Sequence, residues 1–320
     1  MQRHIFERST GMADDFTFKP IQPWERSASQ NAMDSGYKRA TEEFMESPAY
    51  GIEMDVDRAL NVCTEDLYRD MLERECDFVS PSSYNPTASY LTYRRFLVDW
   101  MSDVGEHYRL HNTTIHVSVL YMDKILRSDH IPRSLWQLFA TACITVAAKY
   151  EEAEEHCPHI PELLRFTKLS QSGYDSLAFR DGEVEILKRL GWQLRAFPAL
   201  HVVGYILAKG ACFVDDAWQG RHLIPKIPRY LKKYAEFFCN LALQDYSFQQ
   251  YRPSILAAAA VMASRVALQI EPKWRPELVR RTGYDEFDIL PIFNHLWSYY
   301  EEQFPGHVSR SISPRSVVTN

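Results

Sequence analysis

Tyr93-Arg94-Arg95-Phe96-Leu97-Val98-Asp99-Trp100-Met101 places a bulky apolar face and a central arginine on the same turns of one helix. At helical spacing Phe96, Leu97, Trp100, Met101, Val104 and Tyr108 form an apolar band wide enough for both a core and an outward-facing contact. Arg94 enters such a core only with a partner. Tyr121-Met122-Asp123 offers an acid on the next helix, and Lys149-Tyr150-Glu151-Glu152 closes the helix after that.

The rest of the chain is built to match. Gly is only 12 in 320 residues, charged residues are 24% and hydrophobic ones 46%, a globular composition with little sheet-and-turn character. Helices are expected, in one large or two ordinary domains. The net charge of −6 argues against nucleic-acid binding by bulk electrostatics. The six cysteines, at 63, 76, 143, 157, 212 and 239, form no Cys-x-x-Cys pair and read as reduced, buried thiols. Neither a signal-peptide core near Met1 nor an apolar run of membrane-spanning length occurs, so the expectation is a nuclear or cytoplasmic protein with no membrane partner. In that setting Asn112-Thr113-Thr114 reads as a helix N-cap before Ile115 and not as a glycosylation sequon.

An internal duplication organises the chain. Pro161-Glu162-Leu163-Leu164-Arg165 followed by Gly173-Tyr174-Asp175 recurs as Pro276-Glu277-Leu278-Val279-Arg280 followed by Gly283-Tyr284-Asp285. Upstream of each copy lies a Pro-started helix of small residues, 132–150 with Ala140, Ala142, Ala147 and Ala148, and 253–268 with Ala257 to Ala260. Small apolar residues let other helices approach on all sides, so each half has one buried central helix. The first repeat, 90–195, is predicted to hold helices near 92–109, 113–127, 132–150, 160–167 and 174–190. The second, 196–304, holds them near 198–209, 228–243, 253–268, 276–282 and 285–304. Ahead of them, 57–78 forms a separate amphipathic helix with Leu60, Leu67, Met71 and Leu72 at helical spacing. Residues 1–56 and the Ser-rich 305–320 show no sustained period and are expected to be disordered.

Enzyme signatures are absent: there is no Gly-x-Gly-x-x-Gly, no Gly-Lys-Ser/Thr phosphate loop and no Gly-x-Ser-x-Gly elbow. His156, Cys157 and His159 are metal-ligand types, but Pro158 and the neighbouring acids make that stretch an exposed connection between helices. His107 and His111 lie four apart yet have no partner ligands and read as surface or turn histidines. Neither a catalytic group, a cofactor nor a metal is expected.

The opening motif, the Lys-Tyr-Glu-Glu helix end and the filled positions Arg94, Asp123, Leu138, Lys149 and Glu183 together resemble the cyclin box of A- and B-type cyclins. The resemblance covers about 57–304 and implies an all-α fold of two tandem five-helix repeats preceded by an N-terminal helix. It also implies a regulatory subunit, itself no catalyst, that binds and activates a cyclin-dependent Ser/Thr kinase in cell-cycle control and helps recruit its substrates. On the residues alone, Lys149 is a lysine compensating a helix C-terminus and Glu183 a solvated acid. The resemblance makes them instead the centre of the kinase-binding surface, with Tyr150, Leu187, Trp192, Leu194 and Leu67 as apolar neighbours. Arg94 and Asp123 become a structural ion pair between the first two helices of the box.

By the same resemblance, Tyr93, Phe96, Leu97 and Trp100 would line an exposed groove for Arg-x-Leu peptides of substrates or inhibitors. Asp103 would face the peptide arginine, and Trp136 and Gln137 would form the opposite wall. Trp100 and Trp136 make more apolar surface than a small repeat should hide, which favours exposure. The pattern departs at Tyr93, Arg95 and Phe96, and the course His156-Cys157-Pro158-His159-Ile160-Pro161 resembles J-type cyclins, while the second half is closer to A and B types. A cyclin-fold transcription factor or adaptor of the TFIIB or retinoblastoma kind is the alternative; the acidic charge and the absence of an N-terminal zinc ribbon weigh against it.

Overall fold

The computed structural model describes residues 64–79, 89–127, 131–218 and 220–305. The expectations for 1–56, for the first residues of the 57–78 helix and for the tail beyond 305 fall outside those residues.

Eleven α-helices occur among the described residues. Helix α1 (Thr64–Arg74) precedes a first set, α2 (Ser89–Tyr108), α3 (Asn112–Leu126), α4 (Trp136–Glu151), α5 (Ile160–Phe166) and α6 (Ser176–Arg189). A second set follows: α7 (Ala199–Ala208), α8 (Ile227–Gln244), α9 (Pro253–Ala267), α10 (Pro276–Thr282) and α11 (Glu286–Gln303). Each set surrounds its own core, and the small-residue helices α4 and α9 are enclosed over most of their length, with Ala257 to Ala260 fully buried.

The duplicated motif has a physical content that repeats with it. Pro161 and Pro276 occupy the first turns of α5 and α10, where a missing N–H costs nothing. Gly173 and Gly283 sit at φ of 85° and 80°, a left-handed conformation that a Cβ disfavours, so each can turn the chain sharply. Asp175 and Asp285 then cap the next helix, accepting from the backbone N–H of Ala178 at 2.8 Å and of Asp288 at 2.9 Å. Asp288 returns the bond to the Asp285 N–H at 3.2 Å, closing a reciprocal capping box.

Three features depart from expectation. A small antiparallel ribbon, β1 (Ala217–Trp218) between β2 (Arg221–His222) and β3 (Ile270–Glu271), ties the link after α7 to the end of α9. Beside it Arg265 and Asp216 form a fully buried pair at 2.8 Å, which the sequence reading did not single out. The expected cap Asn112 is instead the first residue of α3; His111 is the N-cap, without a side-chain cap bond, and the Asn112 amide donates to Asn240 Oδ1 at 2.9 Å. Cys76 is exposed, and Cys157 and Cys212 are half-buried, so only Cys143 and Cys239 of the described cysteines are buried thiols.

The two sets are joined at a seam centred on the buried Arg94. Arg94 Nε and Nη2 donate to Asp123 Oδ1 and Oδ2 at 2.8 and 2.9 Å, and Nη1 donates to the carbonyls of Leu243 and Gln244 at 2.9 and 3.2 Å. The latter are orphan carbonyls at the C-terminus of α8, so one guanidinium satisfies an acid of α3 and a helix end of the second set. The Tyr90 hydroxyl donates to the same Asp123. Helix α1 straps the other side: Tyr68 stacks on Tyr205 at 4.3 Å and donates to the Thr282 carbonyl at 3.0 Å, while Glu75 accepts from the Ser254 N–H at 2.9 Å.

Candidate functional site

Helices α4 and α6 pack side by side in the first set, which places Lys149, in the last turn of α4, against Glu183 of α6. Lys149 Nζ donates to both Glu183 oxygens at 2.6 and 2.8 Å, and Thr145, one turn before Lys149 on the same face, donates to Glu183 Oε1 at 2.6 Å. The two partners differ in solvent access: the Lys149 side chain is 51% exposed and that of Glu183 8%. The solvated acid expected from the residues alone is therefore corrected. Glu183 lies mid-helix, buried, and aims an ammonium outward.

Apolar side chains stand exposed on the same elements. Tyr150 follows Lys149 and is 50% exposed; Trp192 is 66% exposed on a left-handed turn, with φ of 60° after Gly191 at 62°. Its N–H donates to the Leu187 carbonyl at 2.9 Å. Leu187 and Leu194 are partly buried against the first core. Leu67 is exposed on α1, one turn before Asp70, which pairs with Arg195 at 2.6 Å, so the strap ends beside the link that carries Leu194. Sequence reading missed Thr145, and also Leu177 and Val184, two exposed residues seven apart on one side of α6. Their signal was available: apolar residues at i and i+7 on an otherwise charged helix face.

The end of α4 is itself held. Glu152, the residue after the helix, has a side chain only 1% exposed and accepts from the His111 N–H at 2.7 Å and the Thr114 hydroxyl at 2.6 Å; His111 Nδ1 lies 2.6 Å from its other oxygen. Burial by itself raises the Glu152 carboxyl, but the bonds from Thr114 and His111 prevail and hold it below its ordinary value. His111 is thus tied to Glu152, while His107 stacks on Phe166 at 4.0 Å. Among the described residues no three metal-ligand groups converge, at His156, Cys157 and His159 or elsewhere. No described helix is long and apolar enough to cross a membrane.

The expected groove on α2 is corrected by burial. Leu97, Trp100 and Trp136 are 3%, 6% and 7% exposed and belong to the core. Trp136 Nε1 donates to the Ile131 carbonyl at 3.1 Å, Gln137 is anchored to the Thr167 carbonyl at 3.0 Å, and Arg133 lies 3.8 Å over the half-buried Tyr93 ring. Asp103 is half-buried, and Phe96 alone of these apolar residues is exposed.

Comparison with known proteins matches residues 66–195 to the cyclin N-terminal domain and 223–313 to the cyclin C-terminal domain. Cyclin-D of Ostreococcus tauri is 28% identical over 74% of this chain and 64% of its own length. Cyclin-J of Xenopus laevis is 29% identical over 67% and 56%, and the cyclin-J-like protein of Mus musculus 30% over 68% and 57%. The chain thus spans between 56% and 64% of the length of these relatives. Among solved structures, a viral cyclin from herpesvirus saimiri aligns with a TM-score of 0.53 at 16% identity, covering 74% of this chain and 99% of that one. A chain of the yeast RNA Pol II CTD kinase CTDK-1 complex aligns at 0.50 and 14% identity, covering 74% and 73%.

Proposed function

Because this chain belongs to the cyclin family, we propose that it is a kinase regulator whose partner, a cyclin-dependent Ser/Thr kinase catalytic subunit, docks on the surface centred at Lys149 and Glu183. The observation that carries this reading is the asymmetry of that pair, in which a buried carboxylate holds a half-exposed ammonium at a helix end. Tyr150 beside Lys149 on α4, Leu177 and Val184 on α6 and Trp192 on the turn after α6 are exposed as well. Exposed apolar residues around a fixed charge are the composition of an interface core with its specificity contact. The cyclins among the relatives, and a fold neighbour taken from a kinase complex, support the reading.

The task of such a surface is mechanical. Protein kinases align the catalytic lysine with a glutamate on a mobile helix, and phosphoryl transfer is mostly positioning and electrostatics. A partner that binds only the inward position of that helix shifts the kinase toward its active state, with no chemistry of its own. Lys149 donates to carbonyls, the apolar neighbours supply contact area, and a stable complex of this kind buries more than about 1,200 Å². The chain acts in the nucleus or cytoplasm in this reading, and substrate recruitment is a separate property of the assembled complex.

Lys149→Ala tests it. The variant leaves the buried Glu183 carboxylate with the Thr145 hydroxyl alone, so it should melt lower than wild type but remain folded at the assay temperature, while kinase affinity falls by about 2 kcal/mol or more, some 30-fold. Unchanged kinase affinity and activation would refute the assignment.

A further inference from the structure

Helix α3 begins without a cap of its own. His111 is its N-cap residue and makes no side-chain cap bond, which leaves the first-turn N–H groups in need of an acceptor. The Thr114 N–H is met by the His111 carbonyl at 3.0 Å, and the start of the helix is held from elsewhere in the chain: Glu152, just past the end of α4, accepts from the His111 N–H at 2.7 Å and from the Thr114 hydroxyl at 2.6 Å. A carboxylate at a helix N-terminus is also favoured by the helix dipole. The two ends so joined are unequal. One is the start of a helix buried over most of its length; the other is the last turn of α4, whose closing residues include the exposed Lys149 and Tyr150. The last turn of a helix frays unless something holds it, because its final carbonyls have no partner within the helix. Glu152 lies three residues beyond Lys149 and two beyond Tyr150, and its side chain is too deeply buried, at 1% exposure, to meet a partner protein itself.

We propose that Glu152 is a positioning residue for the Lys149 and Tyr150 contact, its clasp on His111 and Thr114 locking the last turn of α4 in the register the kinase meets. This rests on the kinase-contact reading of Lys149. The clasp restricts where the ammonium of Lys149 stands before binding, so the partner does not have to order it. Glu183 then sets its direction from the other side, through the bonds at 2.6 and 2.8 Å.

The test uses the full-length chain in two measurements: hydrogen exchange of the 148–153 amides, and affinity for an immobilised monomeric cyclin-dependent kinase catalytic subunit that binds the wild type measurably. Glu152→Ala should speed exchange at those amides by about 5-fold or more while the α9 amides are unchanged. It should weaken kinase binding by about 10-fold alone but by only about 3-fold in the Lys149→Ala background, where only the Tyr150 contact is left to misplace, because residues acting through a shared contact are not additive. Glu152→Gln, which keeps a carbonyl acceptor, should recover most of the affinity. Should Glu152→Ala not fold, Thr114→Val removes one donor and should show the same pattern at about 3-fold. Unchanged exchange, or a loss that simply adds to that of Lys149→Ala, overturns the clasp as a positioning device. A Lys149→Ala chain that binds like wild type overturns the contact reading beneath it, a result distinct from either of those.

Discussion

Two ion pairs in this protein use similar groups under opposite conditions. Lys149 and Glu183 share one buried and one wet partner, so the lysine remains available to another molecule. Arg94 and Asp123 are both dry, at 1% and 4% exposure, and every charged hydrogen-bonding group of the pair is spent inside the protein. Burial of a histidine gives a pH signature. His116 is 2% exposed, with Nε2 2.8 Å from Asn240 Oδ1, and burial lowers its pKa from 6.5 to about 4, with the Asn240 bond only partly opposing. The unfolded chain takes up a proton on this histidine near pH 6.5 and the folded chain does not, so acid favours unfolding. The stability is complete above pH 6.5 and declines as pH falls to about 4, by about 3 kcal/mol in all. Urea denaturation from pH 8 to 4 should therefore show a steeper loss for wild type than for His116→Gln, and parallel curves would contradict this origin.

At the scale of elements, α2 shows how far a pattern reaches. Its periodic apolar band, read from Phe96 to Tyr108, marked a helix correctly, and so did the Pro, Gly and Asp signals around α5, α6, α10 and α11. The band is too wide for its faces to be sorted by spacing alone. Trp100 and Trp136, expected at a surface groove, lie in the core, with Trp136 5.9 and 6.0 Å from the rings of Tyr90 and Tyr93. What closes over them is contributed from other elements, Arg133 above Tyr93 and the Ile131 carbonyl at the indole N–H. Trp100→Ala is accordingly a core deletion, expected to cost about 3–5 kcal/mol in chemical denaturation. A variant within 1 kcal/mol of wild type would put Trp100 back at the surface. Phe96, 57% exposed, is the one exposed apolar residue of the expected groove, and a single exposed apolar residue by itself marks no interface. The strands had no comparable signal: each is two residues long, and their pairing joins positions 217 and 271.

Across the whole molecule, the duplicated halves are bound into one body by few but specific contacts. Arg94 links α2 to the α8 helix end, Asn240 receives both Asn112 and His116 across the same seam, and α1 spans from the Asp70–Arg195 pair to Thr282. Removing Arg94 leaves Asp123 charged and dry and the Leu243 carbonyl without a donor, a loss of about 3–5 kcal/mol. Arg94→Met should convert a single calorimetric transition into two, with the first repeat melting ahead of the second. One sharp transition in the variant would show that the cores alone couple the repeats. Local physics was enough to mark eleven helices, because helical period and proline and glycine signals act within a few residues of where they are written; the family was legible in the motif positions Arg94, Asp123, Leu138, Lys149 and Glu183, and the one expected cap, Asn112, fell one residue inside its helix. The burial of Glu183, the inward turn of Trp100 and Trp136, the Arg265–Asp216 pair and the reach of Glu152 to His111 belong to the tertiary structure. Each depends on which face a helix turns toward partners tens of residues away, and the energy that selects that face is the exclusion of water by the assembled core.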